Sequence, residues 1–193
     1  MIKDNTILKK SFFIFFLCIL ICLSLIITPN VQAKSKIALN HKSATILKGE
    51  TIKLKLTGST NKVKWSSSDS KIAKVSQKGK VTARKVGTTK ITAKMGNKKF
   101  TCKIKVENPK VYGKSFTLAP PTEFLLCVVD TTLPVKWKSQ NSLTAKVSSK
   151  GVVTAISPGV TTITAKVSNK TFKFKINVVS SISSYDGNVI INE

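Results

Sequence analysis

The side chains of this chain that could do chemistry are one histidine, seven carboxylates, two thiols and many lysines, and few stand where catalysis would need them. His41, the single histidine, sits in a polar stretch ahead of the first strand-like segment, with no nucleophile or orienting acid at triad spacing. Beyond residue 33 the carboxylates are Glu50, Asp69, Glu107, Glu123, Asp130, Asp186 and Glu193. Glycoside hydrolysis needs two of them across one cleft. The best pair, Glu50 and Asp69, falls at the opening of a strand and at a turn, and the second half of the chain does not reproduce it. No Cys/His cluster and no Asp-rich loop offers a metal site, and the glycines form no phosphate-binding pattern. The expectation is a chain that is not an enzyme and uses no cofactor or metal.

The N-terminal segment has a different character from the rest. Lys3, Lys9 and Lys10 precede Ser11–Ile27, which is uncharged and almost wholly apolar, and Thr28-Pro29-Asn30 breaks that run. Val31-Gln32-Ala33 then offers the small residues that a signal peptidase reads, so residues 1–33 fit an export signal cleaved before Lys34. The apolar run spans 17 residues, the lower limit for crossing a bilayer, so a retained membrane anchor is the other reading. Both place the remainder outside the cytoplasm, secreted or at the cell surface. Cys18 and Cys22 lie inside the run without the small preceding residue of a lipoprotein signal.

Two cysteines remain, Cys102 and Cys127, too few for a disulfide-stapled domain. A bridge between them stays open, because pairing does not follow from sequence. The whole chain carries 33 basic and 8 acidic residues, a formal charge of +25, and loss of residues 1–33 would leave 30 and 7. So large an excess favours anionic partners and surfaces.

Shifting the sequence by 72 residues superposes it on itself. Val63-Lys64-Trp65-Ser66 meets Val135-Lys136-Trp137-Lys138, and Ala73-Lys74-Val75-Ser76 meets Ala145-Lys146-Val147-Ser148. Lys78-Gly79-Lys80-Val81-Thr82-Ala83 meets Lys150-Gly151-Val152-Val153-Thr154-Ala155, and Ile91-Thr92-Ala93-Lys94 meets Ile163-Thr164-Ala165-Lys166. No gap is needed. A period this long describes a whole domain and not a solenoid unit. The units predicted are residues 37–108 and 109–180, joined at Glu107-Asn108-Pro109-Lys110, where the proline suits a stiff connection, with a tail over 181–193. The tail is polar apart from Val189-Ile190-Ile191, and is either a frayed end or another strand.

Within each unit apolar and polar residues alternate. Ile52, Leu54 and Leu56 face Lys53, Lys55 and Thr57 across the pleat; Phe100, Cys102, Ile104 and Val106 alternate with Thr101, Lys103 and Lys105. Short β-branched runs separated by Gly, Ser, Asn and Asp predict an all-β antiparallel sandwich. The alternation turns Cys102, matched by Phe174, inward and Cys127 outward, making Cys127 the more reactive thiol. Trp65 and Trp137 are expected to plug the cores, and Gly79, Gly151, Gly87 and Gly159 to supply turns.

Trp65-Ser66-Ser67-Ser68-Asp69, Ile72-Ala73-Lys74-Val75, Gly79-Lys80-Val81-Thr82-Ala83 and Gly87-Thr88-Thr89-Lys90-Ile91-Thr92-Ala93 together resemble the bacterial Ig-like domain, group 2. Leu47-Lys48-Gly49-Glu50-Thr51 is similar to that family's opening segment. The resemblance spans about residues 37–180 and implies two tandem Ig-like β-sandwiches, as in bacterial surface and secreted proteins, including adhesins of the intimin and invasin type. The second unit departs from it at Ala119-Pro120-Pro121-Thr122-Glu123, where two prolines predict a loop or an edge, and at Lys138, Gln140 and Asn141.

If the third, sixth and seventh strands share a sheet, as the Ig-like resemblance implies, Lys64, Lys90, Lys94, Lys103 and Lys105 project from its outer face. The matching positions of the second unit are Lys136, Thr162, Lys166, Lys175 and Asn177, so that face is expected to be diluted. The expected function is adhesion or envelope binding, with these five lysines meeting a cell-wall polymer, an acidic glycan or a host surface molecule. A passive spacer, or a truncated relative of a longer multi-repeat protein, is the alternative, and a wall hydrolase stands third. Nucleic acid is disfavoured, since no exposed aromatics interleave the lysines and export removes the chain from genomic targets.

Overall fold

The computed structural model describes residues 36–58, 62–181 and, for the backbone alone, 190–192. The export signal or anchor, with Cys18 and Cys22, lies outside the described residues. Every described element is a strand. The first repeat holds β1 (Ala38–Leu39), β2 (Ser43–Leu47), β3 (Thr51–Lys53), β4 (Leu56–Thr57), β5 (Lys64–Ser67), β6 (Ala73–Val75), β7 (Lys80–Ala83), β8 (Gly87–Met95) and β9 (Lys98–Glu107). The second holds β10 (Lys110–Val111), β11 (Ser115–Leu118), β12 (Glu123–Leu125), β13 (Val128–Val129), β14 (Lys136–Ser139), β15 (Ala145–Val147), β16 (Val152–Ala155), β17 (Gly159–Val167) and β18 (Lys170–Val178). Adding 72 to the bounds of each of the first nine strands gives those of the next nine, within one residue. The tail contributes β19 (Ile190–Asn192), which has no counterpart.

In the first repeat the larger sheet runs β2-β9-β8-β5 and faces a smaller one ordered β3-β7-β6, with β1 pairing β4. In the second the orders are β14-β17-β18-β11-β19 and β12-β16-β15, with β10 pairing β13. The long β8–β9 and β17–β18 hairpins are the backbone of each larger sheet. One pairing in each departs from the antiparallel expectation: β2 runs parallel to β9, and β11 parallel to β18. Alternation along a strand determines which face is apolar. It does not determine strand direction, which depends on how the chain crosses between the two sheets.

The inward residues form two cores. Leu54, Val81, Ile91, Cys102 and Ile104 anchor the first, and Phe116, Leu118, Val153, Ile163, Phe174 and Ile176 the second, all 2 % exposed or less. Each of these larger aliphatic and aromatic side chains contributes about 1.5–3 kcal/mol through burial. Three aromatic contacts organise the second core: Phe116–Phe124 at 4.7 Å, Phe116–Phe174 at 6.3 Å and Trp137–Phe174 at 5.9 Å between ring centroids.

Trp65 and Trp137 do not plug the cores. Each is half-buried, packed against its core from the β5 or β14 edge and lying over the glycine of the β6–β7 or β15–β16 turn. Gly79 has φ +75°, and a Cβ there would come within 2.5 Å of the Leu54 carbonyl oxygen and 3.0 Å of the Trp65 ring. Gly87 and Gly159 open β8 and β17 and are not turn residues.

The altered opening of the second repeat keeps its turn. Glu50 N–H donates to Leu47 O (2.9 Å) and Ala83 N–H to Glu50 O (3.0 Å); the equivalents are Thr122 to Ala119 (2.8 Å) and Ala155 to Thr122 (3.0 Å). The bonds use atoms that proline does not remove, so Pro120 and Pro121 occupy the loop that the sequence predicts.

A candidate lysine-rich binding face

Cross-strand register decides which side chains share the outer face of the larger sheet. In the first repeat Lys64 stands opposite Lys94 and Lys94 opposite Lys99, a row of three lysines over β5, β8 and β9. The next row is Ser66, Thr92 and Thr101; the third pairs Lys90 with Lys103; the fourth holds Thr88, Lys105 and Thr45. All five expected lysines therefore lie on one face, and Lys99 joins them. Its alternation with inward Phe100 and Cys102 already carried that signal.

Like charges directly opposite one another in a sheet are destabilising, by a few tenths of a kcal/mol to about 1 kcal/mol per pair. Lys64, Lys90, Lys94, Lys99 and Lys103 are exposed and have no carboxylate partner among the described residues. At one end of the face Lys62, Lys64 and Lys94 border a cavity of about 550 Å³ with Val63, Gln77 and Gly96. An anion with several negative groups would relieve the repulsion along the whole row.

Lys105 is committed elsewhere. Its Nζ lies 2.6 Å from Glu107 Oε1 and 3.4 Å from Thr132 Oγ1. Glu107, the last residue of β9, is 4 % exposed and takes three further bonds from the second repeat: Thr131 Oγ1 (2.9 Å), Thr132 N–H (2.8 Å) and Thr132 Oγ1 (2.7 Å). Burial alone would push this carboxyl up. The Lys105 ammonium, the Thr132 hydroxyl and N–H and the Thr131 hydroxyl outweigh it and hold the carboxyl at about 2.

In the second repeat the matched positions Lys136, Lys166 and Lys175 lie on the corresponding face, with Thr162 and Asn177 between them. Lys138 and Lys173 fill the row that is Ser66 and Thr101 in the first repeat, so this face holds five lysines against six. The expected dilution is thus a redistribution. Comparing positions one for one missed it, because the second repeat places lysines where the first has hydroxyls.

The residues weighed for catalysis are occupied in structure. Glu50 Oε2 accepts Leu47 N–H (2.8 Å), while Oε1 accepts Ser168 Oγ (2.6 Å) and Asn169 N–H (3.3 Å). Asp69 Oδ1 accepts the N–H groups of Lys71 and Ile72. Cys102 is buried and its thiol is pushed up by desolvation; Cys127 is exposed, and the two are not bridged. No group of acidic, Cys or His residues that could hold a metal occurs among the described residues.

The model of the bacterial Ig-like domain (group 2) matches residues 33–106 and 129–178. The chain belongs to this family. The gap between the matches contains the junction and the altered opening at Ala119–Glu123. Among solved structures, the chain is similar to the S-layer protein rSbsC(31-844), with 22 % identity over 77 % of this chain and 28 % of that one, and a TM-score of 0.36. It is also similar to the C-terminal 282-residue fragment of intimin, solved with the intimin-binding domain of its translocated receptor (18 % identity, 74 % of this chain, 63 % of that one, TM-score 0.49). Invasin, a bacterial integrin-binding protein, is similar at 14 % identity over 74 % of this chain and 38 % of that one, with a TM-score of 0.49. The chain thus spans less than a third of the first of these structures and under two thirds of the other two. A comparison with curated proteins gives no match.

Proposed function

We propose that this chain is an exported, non-catalytic protein of the cell surface or secreted fraction, built of Ig-like domains over 37–108 and 109–180, which adheres to polyanions through its lysine faces. The row Lys64–Lys94–Lys99 carries the reading, since three cations opposite one another, without carboxylate partners among the described residues, are costly to keep and are relieved by an anionic ligand. The ligand class is a wall polymer such as teichoic acid, an acidic glycan, or an anionic host surface molecule. Lys90 and Lys103 extend the face, whereas Lys105 serves the junction.

The test is binding to isolated cell walls and a panel of acidic glycans across salt. Exposed charge pairs are screened over about 10 Å at 0.1 M salt, so affinity is expected to fall steeply as salt rises. Replacing Lys64, Lys94 and Lys99 together by threonine is expected to weaken binding at least about tenfold and flatten the salt dependence. Binding indifferent to salt, or unchanged in the triple variant, would overturn the proposal.

A rigid spacer is the second reading, and the bonds of Glu107 to Thr131 and Thr132 and of Glu50 to Ser168 favour it. That role predicts a fixed two-domain shape in scattering and no glycan binding.

A further inference from the structure

Each strand of the first repeat has its image 72 residues later, and only β19 stands outside the pattern. In the second repeat β19 covers the edge of β11 antiparallel, with Ser115 opposite Asn192, Phe116 opposite Ile191 and Thr117 opposite Ile190. The image of β11 is β2, which has a strand on one side only: β9 lies there, and its other edge is open among the described residues. We propose that this open edge takes the tail strand of a second copy of the chain, in the register Ser43 to Asn192, Ala44 to Ile191 and Thr45 to Ile190.

Hydrogen-bond parity supports the seat. Lys103 N–H donates to Lys42 O (2.9 Å) and Lys48 N–H to Glu107 O (2.8 Å), so alternate residues of β2 turn their backbone groups to β9. Ser43, Thr45 and Leu47 therefore point theirs outward. Leu47 N–H is taken by Glu50 Oε2 (2.8 Å), which leaves Ser43 and Thr45 as the open donors and acceptors. In the second repeat, bonds from Lys175 to Lys114 O and from Val179 to Leu118 O turn Ser115 and Thr117 outward in the same way, towards β19. Edges in natural sheets are usually blunted by lysine, proline or a bulge. The stretch Ser43-Ala44-Thr45 carries none of these.

Charge favours the same pairing. Residues 181–193 include Asp186 and Glu193 and no lysine or arginine, whereas Ser43 and Thr45 lie beside Lys103 and Lys105. A chain's own tail already holds its β11, so β2 is left for the tail of another copy. That contact is head-to-tail, and repeating it builds rings or filaments.

The probe is a synthetic peptide of residues 184–193, added to the full chain. One binding site per chain is expected by calorimetry. Thr45→Pro removes the outward N–H without touching a bond to β9, and should weaken the peptide by about fivefold or more, while Thr45→Val should leave it unchanged. A spin label on the peptide should broaden the amide signals of Ser43–Thr45 in the unmodified chain, a reading that does not depend on any variant folding. No binding, equal binding to the Thr45→Pro chain, or broadening confined to other strands would overturn the proposal. The lysine-face triple variant should still bind the peptide, which separates this contact from polyanion adhesion.

Discussion

At the scale of single residues, the two turn glycines are the least replaceable positions. A Cβ at Gly79 or Gly151 would stand 2.5–2.6 Å from a backbone carbonyl oxygen and about 3 Å from a tryptophan ring, at φ +75° and +88°. Neither the backbone nor the half-buried indole can yield cheaply. Gly79→Ala and Gly151→Ala are each expected to lower stability by about 2 kcal/mol or more, measured by urea unfolding. Gly96, also at positive φ but with nothing within 4 Å, should tolerate alanine at a cost of about 1 kcal/mol. The need for glycine at both turns was legible from the 72-residue match. The role of tryptophan as the wall against which the turn closes was not, because it arises from two strands of different sheets.

At the scale of the element, the larger sheet of the first repeat is a compromise. Its inner face is apolar and buried, while its outer face sets Lys64, Lys94 and Lys99 in one row. Lys94→Thr should raise the melting temperature in low salt by removing two like-charge pairs, worth a few tenths of a kcal/mol each. The gain should disappear in high salt, where screening already removes the repulsion. Lysines conspicuous in the sequence were placed on the right face by alternation alone. Lys99, Lys138 and Lys173 joined them only once register showed what stands opposite what.

At the scale of the whole molecule, Glu107 is the pivotal side chain. It ends the last strand of the first repeat and is gripped by Thr131 and Thr132 of the second. Its folded carboxyl titrates at about 2, below the ordinary value of 4.5, so its contribution is complete above about 4.5 and fades as pH falls through 2. Glu107→Gln is expected to cost on the order of 2–3 kcal/mol at neutral pH, and the deficit relative to the native chain should shrink between pH 4.5 and 2. Small-angle scattering of the variant at pH 7 should show a wider spread of inter-repeat orientations; an unchanged profile would mean that the shorter contacts of Glu50 and Lys170 suffice.

Sequence by itself determined the all-β class, the tandem Ig-like repeat, the family, and the face on which each lysine would lie, since these follow from alternation and from a match that needs no gap. Tertiary structure alone decided three things. It set two parallel pairings inside sheets that alternation cannot orient. It took Lys105 out of the open face and gave it to Glu107, because a buried carboxylate needs a cation more than solvent does. It also laid the tail strand on β11 and left the equivalent edge of β2 open, since backbone edges carry no side-chain signature that a sequence could display.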